Sequence, residues 1–278
     1  MIVVTGGAGF IGANIIHALN SRGETDILVV DDLTDGTRFR NLAELDVTDY
    51  MDKGEFLERV KANDLPVGIR AIFHEGACSD TTEWDGKFMM ENNYTYSKVL
   101  LHWCLDHKVP FLYASSAAVY GTPEYIPMDE DHPRKPINYY GFTKLIMEEN
   151  LHWMAELTGL RYASLRYFNA AGYDIHGRVR GLENKPQNLL PVVMEVAAGL
   201  RPGMQLFGRD YDTRDGTCIR DYIHTNDLSR AHILAMEYLK KEGKSLTVNL
   251  GSEQGLSVQE IIDEARKVTG KEIKVEDA

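Results

Sequence analysis

The first dozen residues restrict the fold more than any other segment. The chain opens with an apolar run at residues 2–5, IVVT, which passes into GGAGFIG at 6–12 and then into a helical pattern. Gly7, Gly9 and Gly12 fit the spacing G-x-G-x-x-G, in which glycine permits a tight turn and a close approach of backbone to phosphate. The free N–H groups and the dipole at the start of such a helix stabilise phosphate without lysine. This segment predicts a strand–turn–helix unit that binds a dinucleotide.

An acidic residue lies where that interpretation requires one. Asp31 ends the next apolar run, about 20 residues beyond the turn, where a carboxylate binds the ribose hydroxyls of a dinucleotide. A carboxylate there favours NAD, because it repels a 2′-phosphate. Arg38 and Lys53 are near in sequence and could neutralise that phosphate instead. The prediction is therefore NAD or NADP, with the choice open.

Short apolar runs alternate with longer helical patterns through the first part of the chain. We predict strands at 2–5, 27–31, 69–74, 111–115 and 162–168, and helices at 11–21, 53–62, 88–105 and 140–157. This alternation is typical of an α/β fold with a doubly wound parallel sheet of the Rossmann type. The later segments are shorter and richer in Gly, Pro and charge. We expect a dinucleotide-binding domain at 1–168 and a smaller C-terminal α/β substrate subdomain at 169–278, with parts near 217–223 and 246–250 returning to the first sheet.

A Tyr-x-x-x-Lys pattern opens the helix expected at 140–157. Tyr140 and Lys144 are four residues apart and so lie on one helix face, where an ammonium would favour the phenolate and lower the pKa of the tyrosine. Ser116 follows the strand at 111–115, at the carboxyl edge where open α/β sheets bind ligands. Tyr139 competes with Tyr140, but its i+4 neighbour is Thr143, which carries no charge. We predict catalytic roles for Ser116, Tyr140 and Lys144.

Composition excludes several other classes of function. Among 278 residues, 30 are Lys or Arg and 42 are Asp or Glu, for a net charge of −12. An acidic balance argues against a surface for nucleic acid or an anionic membrane. Three unpaired cysteines predict neither a disulfide framework nor a metal site, and the absence of an apolar targeting segment predicts a cytoplasmic protein.

Taken together, these residues resemble the extended short-chain dehydrogenase/reductase superfamily, and within it the nucleotide-sugar epimerases. The first 118 residues are similar to ADP-L-glycero-D-manno-heptose 6-epimerases, notably at 73–79, FHEGACS, and 82–87, TEWDGK. From residue 119 the chain instead resembles UDP-glucose 4-epimerases, notably at 165–172, LRYFNAAG, and 215–224, DGTCIRDYIH. We therefore expect a chimeric or recombined sequence.

The resemblance implies binding residues for both ligands. The residues that would bind the dinucleotide are Gly6, Gly7, Gly9, Phe10, Ile11, Gly12, Asp31, Asp32, Arg38, Asp46, Val47, Lys53, Glu75, Gly76, Ala77, Cys78, Ser79, Asn92, Tyr140, Lys144 and Phe168. Those that would bind a nucleotide sugar are Ser116, Asn169, Asn188, Leu189, Phe207 and Arg220.

The implied reaction inverts a sugar carbon by transient oxidation with a bound cofactor that is regenerated in each cycle. UDP-glucose/UDP-galactose 4-epimerisation is favoured over ADP-heptose 6-epimerisation. Heptose epimerases use a second base nine residues after the position of Asn169, and here that residue is Arg178, whose guanidinium cannot serve as a base. The resemblance also implies a further arginine-bearing segment beyond residue 278, which leaves Arg220 as the main diphosphate cation. The alternatives are thus the heptose epimerase and a dinucleotide-binding scaffold with little or no activity. Members of these families often dimerise, and helices 88–105 and 140–157 would form a homodimer interface.

Overall fold

The computed structural model describes residues 1–174, 176–181 and 186–278. They fall into two compact units. The first comprises Met1–Tyr167, Gly172–Leu182 and His224–Leu250. The second comprises Phe168–Ala171, Glu183–Ile223 and Gly251–Ala278.

The strands and helices are numbered here in chain order. The strands are β1 (Ile2–Thr5), β2 (Ile27–Asp31), β3 (Asp49–Asp52), β4 (Ala71–His74), β5 (Phe111–Ser116), β6 (Tyr162–Tyr167), β7 (Asn169–Ala171), β8 (Met204–Leu206), β9 (Ile219–His224), β10 (Leu246–Leu250), β11 (Gly255–Ser257) and β12 (Val275–Asp277). The α-helices are α1 (Phe10–Asn20), α2 (Lys53–Lys61), α3 (Gly86–Met89), α4 (Tyr96–His107), α5 (Tyr139–Thr158), α6 (Leu189–Ala197), α7 (Thr225–Glu242) and α8 (Val258–Thr269). A π-helical segment, Met90–Thr95, joins α3 to α4, and 3₁₀ turns span Gly36–Asn41 and Ala117–Val119.

The first unit is built on a seven-stranded parallel sheet, which confirms the predicted α/β Rossmann fold. Its strand order is β10-β6-β5-β4-β1-β2-β3, and every pairing is parallel. The order reverses between β1 and β4, so the loops that follow these two strands flank the crevice in which such sheets bind ligands. Strand β3, in which only Met51 is buried, was not predicted, because its acidic sequence DYMD gives no apolar run.

Helices cover both faces of this sheet, as a doubly wound fold requires. Leu28 and Val30 of β2 belong to a core that includes Phe56 of α2 and Leu100 of α4. Successive side chains of a strand point to opposite faces, and Val29 accordingly lies on the side of α1. On that side α1 packs beside α7.

The second unit holds two small sheets. One has the order β11-β9-β7, and the other pairs β12 with β8. Val193, Ile262 and Ile273 form the centre of its apolar cluster, which α6 and α8 supply together with the turn before β12.

One expected strand pairing is found and one is not. Residues 246–250 form β10 and pair with β6, as predicted. Residues 217–223 do not return to the first sheet, because β9 pairs with β11 in the three-stranded sheet. The physical reason is that β9 is mostly part-buried, whereas the central strands of the large sheet are covered on both faces.

No helix in the described ranges is both long enough and apolar enough to cross a membrane.

Candidate active site

The glycine turn between β1 and α1 brings backbone unusually close to backbone. A Cβ on Gly12 would stand 2.3 Å from the carbonyl oxygen of Gly6, so only glycine fits there. Gly9 is the N-cap of α1 and no side chain caps the helix. The first-turn N–H groups of Phe10, Ile11 and Gly12 are thereby directed at the crevice without a side chain in front of them. This cradle fits a pyrophosphate, which helix N-termini bind through such groups.

Two acids at the end of β2 are already held by hydrogen bonds and cations. The carboxylate of Asp31 accepts from the backbone N–H of Ala8 at 2.8 Å and from Arg38 at 3.1 Å. Asp32 lies 2.9 Å from the ammonium of Lys53. Hydrogen bonds from Thr34, followed by that of Lys53, hold the pKa of Asp32 well below its usual value. Asp31 is therefore fixed beside the glycine turn, and both basic residues predicted near the ribose are engaged with acids.

The loop after β4 is held against the turn by a chain of buried hydrogen bonds. The N–H of Gly76 donates to the hydroxyl oxygen of Thr5 at 3.2 Å. That hydroxyl is 2.7 Å from Nδ1 of His74, whose Nε2 is 2.7 Å from the hydroxyl of Ser97. Because Ser97 donates to the carbonyl of Asn93, His74 must donate through Nε2 and accept through Nδ1. Burial lowers the pKa of His74 to about 3, so the ring is neutral.

Asn93 fixes the far end of the same loop. Its carboxamide accepts from the N–H of Cys78 at 2.8 Å and donates to the carbonyl of Cys78 at 2.9 Å. Asn93 belongs to the π-helical segment, a geometry that occurs often at functional sites. The sequence predicts a role for Asn92, whose carboxamide donates to Asn93. Asn93 itself was not predicted, because nothing in the local sequence distinguishes the two asparagines.

Helix α5 brings the predicted tyrosine and lysine to the end of β5, whose last residue is the predicted serine, Ser116. The side chain of Asn138 caps the helix by accepting from the N–H of Gly141 at 2.7 Å. A Cβ on Gly141 would stand 2.4 Å from the carbonyl of Ala118, so glycine allows α5 to approach the turn that follows Ser116. The Ser116 hydroxyl lowers the pKa of Tyr140. The ammonium of Lys144 lies 5.7 Å from the Tyr140 ring centroid and donates to the carbonyl of Ala114 at 2.7 Å.

The pKa values at this site are governed by burial. Burial raises the pKa of Tyr140 to about 12, while Ser116 acts in the opposite direction. Burial lowers the pKa of Lys144 to about 8, against the attraction of Glu75 and Glu148. Lys144 was expected to lower the pKa of Tyr140, but the raising effect of burial is larger. Burial raises this pKa because the phenolate is poorly solvated in the protein interior.

Ser115, the neighbour of Ser116, contributes to a buried ion pair. Its hydroxyl donates to Glu148 at 2.6 Å, and Ser164 donates to the same carboxylate at 3.0 Å. Arg166 binds Glu148 through two nitrogens, with a closest distance of 2.7 Å, and both side chains are at most 4% exposed. This pair ties β5, β6 and α5 together directly behind Lys144.

Not all predicted residues come together at this crevice. Asp46 and Val47 precede β3, and the backbone of Asp46 is hydrogen-bonded to Asn20 at the end of α1. They therefore lie at the amino-terminal edge of the sheet, opposite the glycine turn, and the expectation that they contact the dinucleotide is wrong. The end of β3 instead presents Asp52 and Lys53.

Apart from Ser116, the predicted nucleotide-sugar residues belong to the second unit, as does Phe168. Asn188 is the N-cap of α6 and Leu189 is the first residue of that helix. Asn169 opens β7, Phe207 follows β8 with 70% of its surface exposed, and Arg220 lies in β9 with its guanidinium donating to the carbonyl of Ile219. Their roles stay predictions.

Within the part of the chain that the structure describes, no group of His, Cys, Asp and Glu has the arrangement of a metal site.

Comparison with known proteins gives a consistent result. A model of the NAD dependent epimerase/dehydratase family matches residues 2–251. The UDP-glucose 4-epimerase from Brucella ovis, solved in complex with NAD, is 36% identical over 99% of this chain and 85% of that chain, with a TM-score of 0.88. The UDP-glucose-4-epimerase from Stenotrophomonas maltophila, solved with bound NAD and formylated UDP-arabinopyranose, is 33% identical over 100% of this chain and 85% of that chain, with a TM-score of 0.91. The enzyme from Bifidobacterium longum, in complex with NAD+ and UDP, is 32% identical over 100% and 85% of the two chains, with a TM-score of 0.87.

Proposed function

This chain belongs to the NAD dependent epimerase/dehydratase family, and from that membership we propose that it is a nucleotide-sugar 4-epimerase of the UDP-glucose/UDP-galactose type. The observation that carries the proposal is the convergence of Ser116, Tyr140 and Lys144 at the end of β5, at the same carboxyl edge of the sheet as the phosphate cradle of α1. Similarity to 4-epimerases over essentially the whole chain supports the same reaction class.

The proposed mechanism uses Tyr140 as the general base. When bound, NAD would supply the hydride acceptor for the sugar carbon. The hydride would then return to the opposite face of that carbon, which inverts it. Tyr140 removes the proton of the 4-hydroxyl and later gives it back, while Ser116 orients the reacting oxygen. Lys144 holds a positive charge next to the tyrosine, which favours the phenolate. Burial of this group excludes water, which would otherwise compete for the proton.

Several contacts favour NAD over NADP as the cofactor. The carboxylate of Asp31 lies at the end of β2, where it would repel a 2′-phosphate and accept from ribose hydroxyls. Arg38 pairs with Asp31, and Lys53 pairs with Asp32. Neither cation is available to a 2′-phosphate unless it leaves a carboxylate unpaired.

A heptose 6-epimerase is disfavoured by the residue at the second-base position. Arg178 donates to Asp174 from two nitrogens, at 2.9 and 3.0 Å. This pairing raises the already high pKa of the guanidinium, so Arg178 cannot remove a proton from a sugar carbon.

A homodimer is part of this proposal. The apolar side chains of Phe88, Phe142, Trp153 and Leu157 are between 42% and 77% exposed along α3 and α5. Exposed apolar side chains on neighbouring helices are typical of a surface that another protein covers.

A product assay tests the proposed function. The NAD-loaded protein is incubated with UDP-galactose and, separately, with ADP-glycero-manno-heptose, and products are separated by chromatography. We expect UDP-glucose to form from the first substrate and no epimer from the second. NAD bound at stoichiometric amounts with no product from either sugar would contradict the proposal and favour a dinucleotide-binding scaffold.

A further inference from the structure

Tyr113 of β5 is a buried aromatic residue that the proposed mechanism does not use. It is 0% exposed, and the ammonium of Lys144 lies over its ring, with Nζ 4.8 Å from the ring centroid. The same nitrogen lies 5.7 Å from the centroid of the Tyr140 ring. The face of an aromatic ring attracts a cation within about 6 Å of its centroid, and most strongly where water is excluded. Tyr113 therefore gives Lys144 the closer of these two aromatic contacts.

The charge of Lys144 receives little support from its other contacts. Its ammonium donates to the carbonyl oxygen of Ala114 at 2.7 Å, which is a neutral group. Within the described ranges no ion pair joins it to a carboxylate, and Glu148, one turn along α5, is paired with the guanidinium of Arg166. Burial disfavours the charged form and lowers the pKa of Lys144 to about 8. At this pKa, a modest loss of support is enough to leave the lysine uncharged near neutral pH.

The titratable groups around Lys144 come from β4 and the loop after it, from β5 and from α5. They are His74, Glu75, Cys78, Tyr113, Tyr140 and Glu148. Burial lowers the pKa of His74 to about 3, so its imidazole is neutral. Burial also raises the pKa of the Tyr113 phenol well above its usual value. Tyr113 thus stays a neutral ring over the range in which Lys144 titrates, and its attraction for the ammonium does not change with pH.

The ring of Tyr113 is held by its neighbours and not by its hydroxyl. It stacks with the imidazole of His74, its partner across the β4–β5 pairing, at 6.1 Å between centroids. It also stacks with the ring of Phe111 at 6.2 Å. The hydroxyl oxygen is buried and has no hydrogen-bond partner among the described residues. The face of the ring, rather than the hydroxyl, is therefore the part of Tyr113 that acts on Lys144.

We propose that Tyr113 is a positioning residue whose ring keeps the Lys144 ammonium charged and in place beside Tyr140. This inference rests on the proposed function, because Lys144 is assigned there as the cation that favours the Tyr140 phenolate. Without the ring, the neutral amine becomes easier to form and Lys144 loses its charge at lower pH. The Tyr140 phenolate then lacks the nearby positive charge that favours it.

Three substitutions separate the ring from the hydroxyl and from general packing. Tyr113→Phe retains the face of the ring and removes only the hydroxyl, whereas Tyr113→Leu removes the ring. Phe111→Leu is the matched control, because Phe111 is equally buried in the same core and stacks on Tyr113. Among the described residues, the Lys144 ammonium lies over the rings of Tyr113 and Tyr140 and not over that of Phe111.

NMR titration of the NAD-bound protein measures ionisation of Lys144 directly. The lysines are isotopically labelled at Cε, and the Lys144 signal is the one that Lys144→Met removes. We expect Tyr113→Leu to lower the titration midpoint of this signal by about one pH unit, as loss of a buried cation–π contact predicts. Tyr113→Phe and Phe111→Leu should keep the midpoint within about 0.3 unit of the unsubstituted protein. A Tyr113→Leu midpoint equal to that of Phe111→Leu would overturn the inference.

The pH profile of activity distinguishes this role from a merely structural one. In Tyr113→Leu, kcat/KM for UDP-galactose should fall about tenfold at pH 9 and hardly at pH 6, where Lys144 is charged in both proteins. A structural defect lowers activity equally at both pH values, and that result would contradict the role given to Tyr113. Melting temperatures identify a variant that fails to fold, in which case Tyr113→Met replaces Tyr113→Leu in both measurements.

Failure of this inference and failure of the proposed function give different results. Epimerisation of UDP-galactose with an unshifted Lys144 midpoint in Tyr113→Leu would overturn the inference and leave the proposed function standing. A lowered midpoint in Tyr113→Leu, with no epimerisation of UDP-galactose by the unsubstituted protein, would overturn the proposed function and leave the effect of Tyr113 on Lys144 standing.

Discussion

At the scale of single residues, two glycines determine whether the site can form. Gly12 lets the first turn of α1 close over Gly6, and Gly141 lets α5 approach the turn after Ser116. In each case the close neighbour is a backbone carbonyl oxygen, which cannot move aside as the end of a flexible side chain can. The phosphate cradle and the position of Tyr140 both depend on the absence of a Cβ.

The first prediction concerns Gly12→Ala. The added methyl would stand 2.3 Å from the Gly6 carbonyl, so the turn must open and the N–H groups of α1 move out of line. We expect at least a tenfold loss of NAD affinity in isothermal titration, together with a lower melting temperature. Gly36→Ala is the control, because nothing lies within 4 Å of a Cβ there. Equal NAD affinity of the two variants would contradict the role given to the turn.

The glycine turn and the proposed catalytic pair, Tyr140 and Lys144, follow local patterns that the sequence shows directly. Gly7 and Gly12 lie at the start of α1, and Tyr140 and Lys144 lie together on α5, so the members of each pair are close in sequence and their spacing is visible there. Asn93 could not be predicted, because its importance comes from Cys78 on another segment.

At the scale of secondary-structure elements, buried polar contacts hold the strands and helices of the site in place. Glu148 of α5 binds Ser115 of β5 and Arg166 of β6. His74 of β4 connects Thr5 of β1 to α4. These contacts position the carboxyl ends of four neighbouring strands, where we propose that the chemistry takes place.

The second prediction concerns the buried pair. Glu148→Gln leaves the Arg166 guanidinium buried without its counter-charge, which should cost about 3–5 kcal/mol of unfolding free energy. Glu149→Gln removes the neighbouring acid on the same helix, which pairs with Arg134 in a half-exposed position, and should cost less than about 1 kcal/mol. Urea unfolding of both variants at pH 7 measures the difference. Equal midpoints would show that the pair does not hold β5, β6 and α5 together.

The third prediction concerns pH and His74. Burial lowers the pKa of the folded imidazole to about 3, whereas the unfolded chain takes up this proton near pH 6.5. Between these values the unfolded state binds more protons, so the unfolding free energy falls as pH falls, by up to about 1.4 kcal/mol per pH unit. His74→Gln should reduce that slope when unfolding is measured at pH 5 and pH 7. His102→Gln, which alters an exposed histidine of α4, should leave it unchanged, and an unreduced slope in His74→Gln would contradict the assignment.

Most elements of the first sheet follow from their sequence, and the exceptions have a common physical cause. Strands β1, β2, β4, β5 and β6 are covered on both faces and therefore appear as apolar runs. Strand β3 stands at the edge of the seven-stranded sheet, and β9 belongs to a small, part-buried sheet. The apolar pattern of neither strand shows which sheet it joins. The placement of Asp46 and Val47 failed for the same reason, because it depended on where β3 ends.

At the scale of the whole molecule, we propose that two copies of the chain associate through α5. Trp153 and Leu157 lie on α5 and are 58% and 77% exposed. The same helix presents Tyr140 and Lys144 at its other end. Dimerisation through α5 would stabilise the helix that carries the catalytic pair.

The fourth prediction tests this association. Leu157→Lys places a charge within the expected interface, so the dimer should dissociate in sedimentation equilibrium while the melting temperature falls. Val67→Lys, at a position 97% exposed and outside the helices, is the matched control and should stay dimeric. A wild-type protein that sediments as a monomer at micromolar concentration would refute the dimer.

The central claim is that Tyr140 is the base of a nucleotide-sugar epimerase, and a comparison of two adjacent tyrosines tests it most directly. The measurement is kcat/KM for conversion of UDP-galactose to UDP-glucose by Tyr140→Phe and Tyr139→Phe, each with NAD bound. Removing a general base costs about 10²–10⁴-fold in rate. We expect a loss of that size in Tyr140→Phe, with NAD affinity retained, and less than a threefold change in Tyr139→Phe. Turnover that survives Tyr140→Phe, or is lost equally in both variants, would contradict the account.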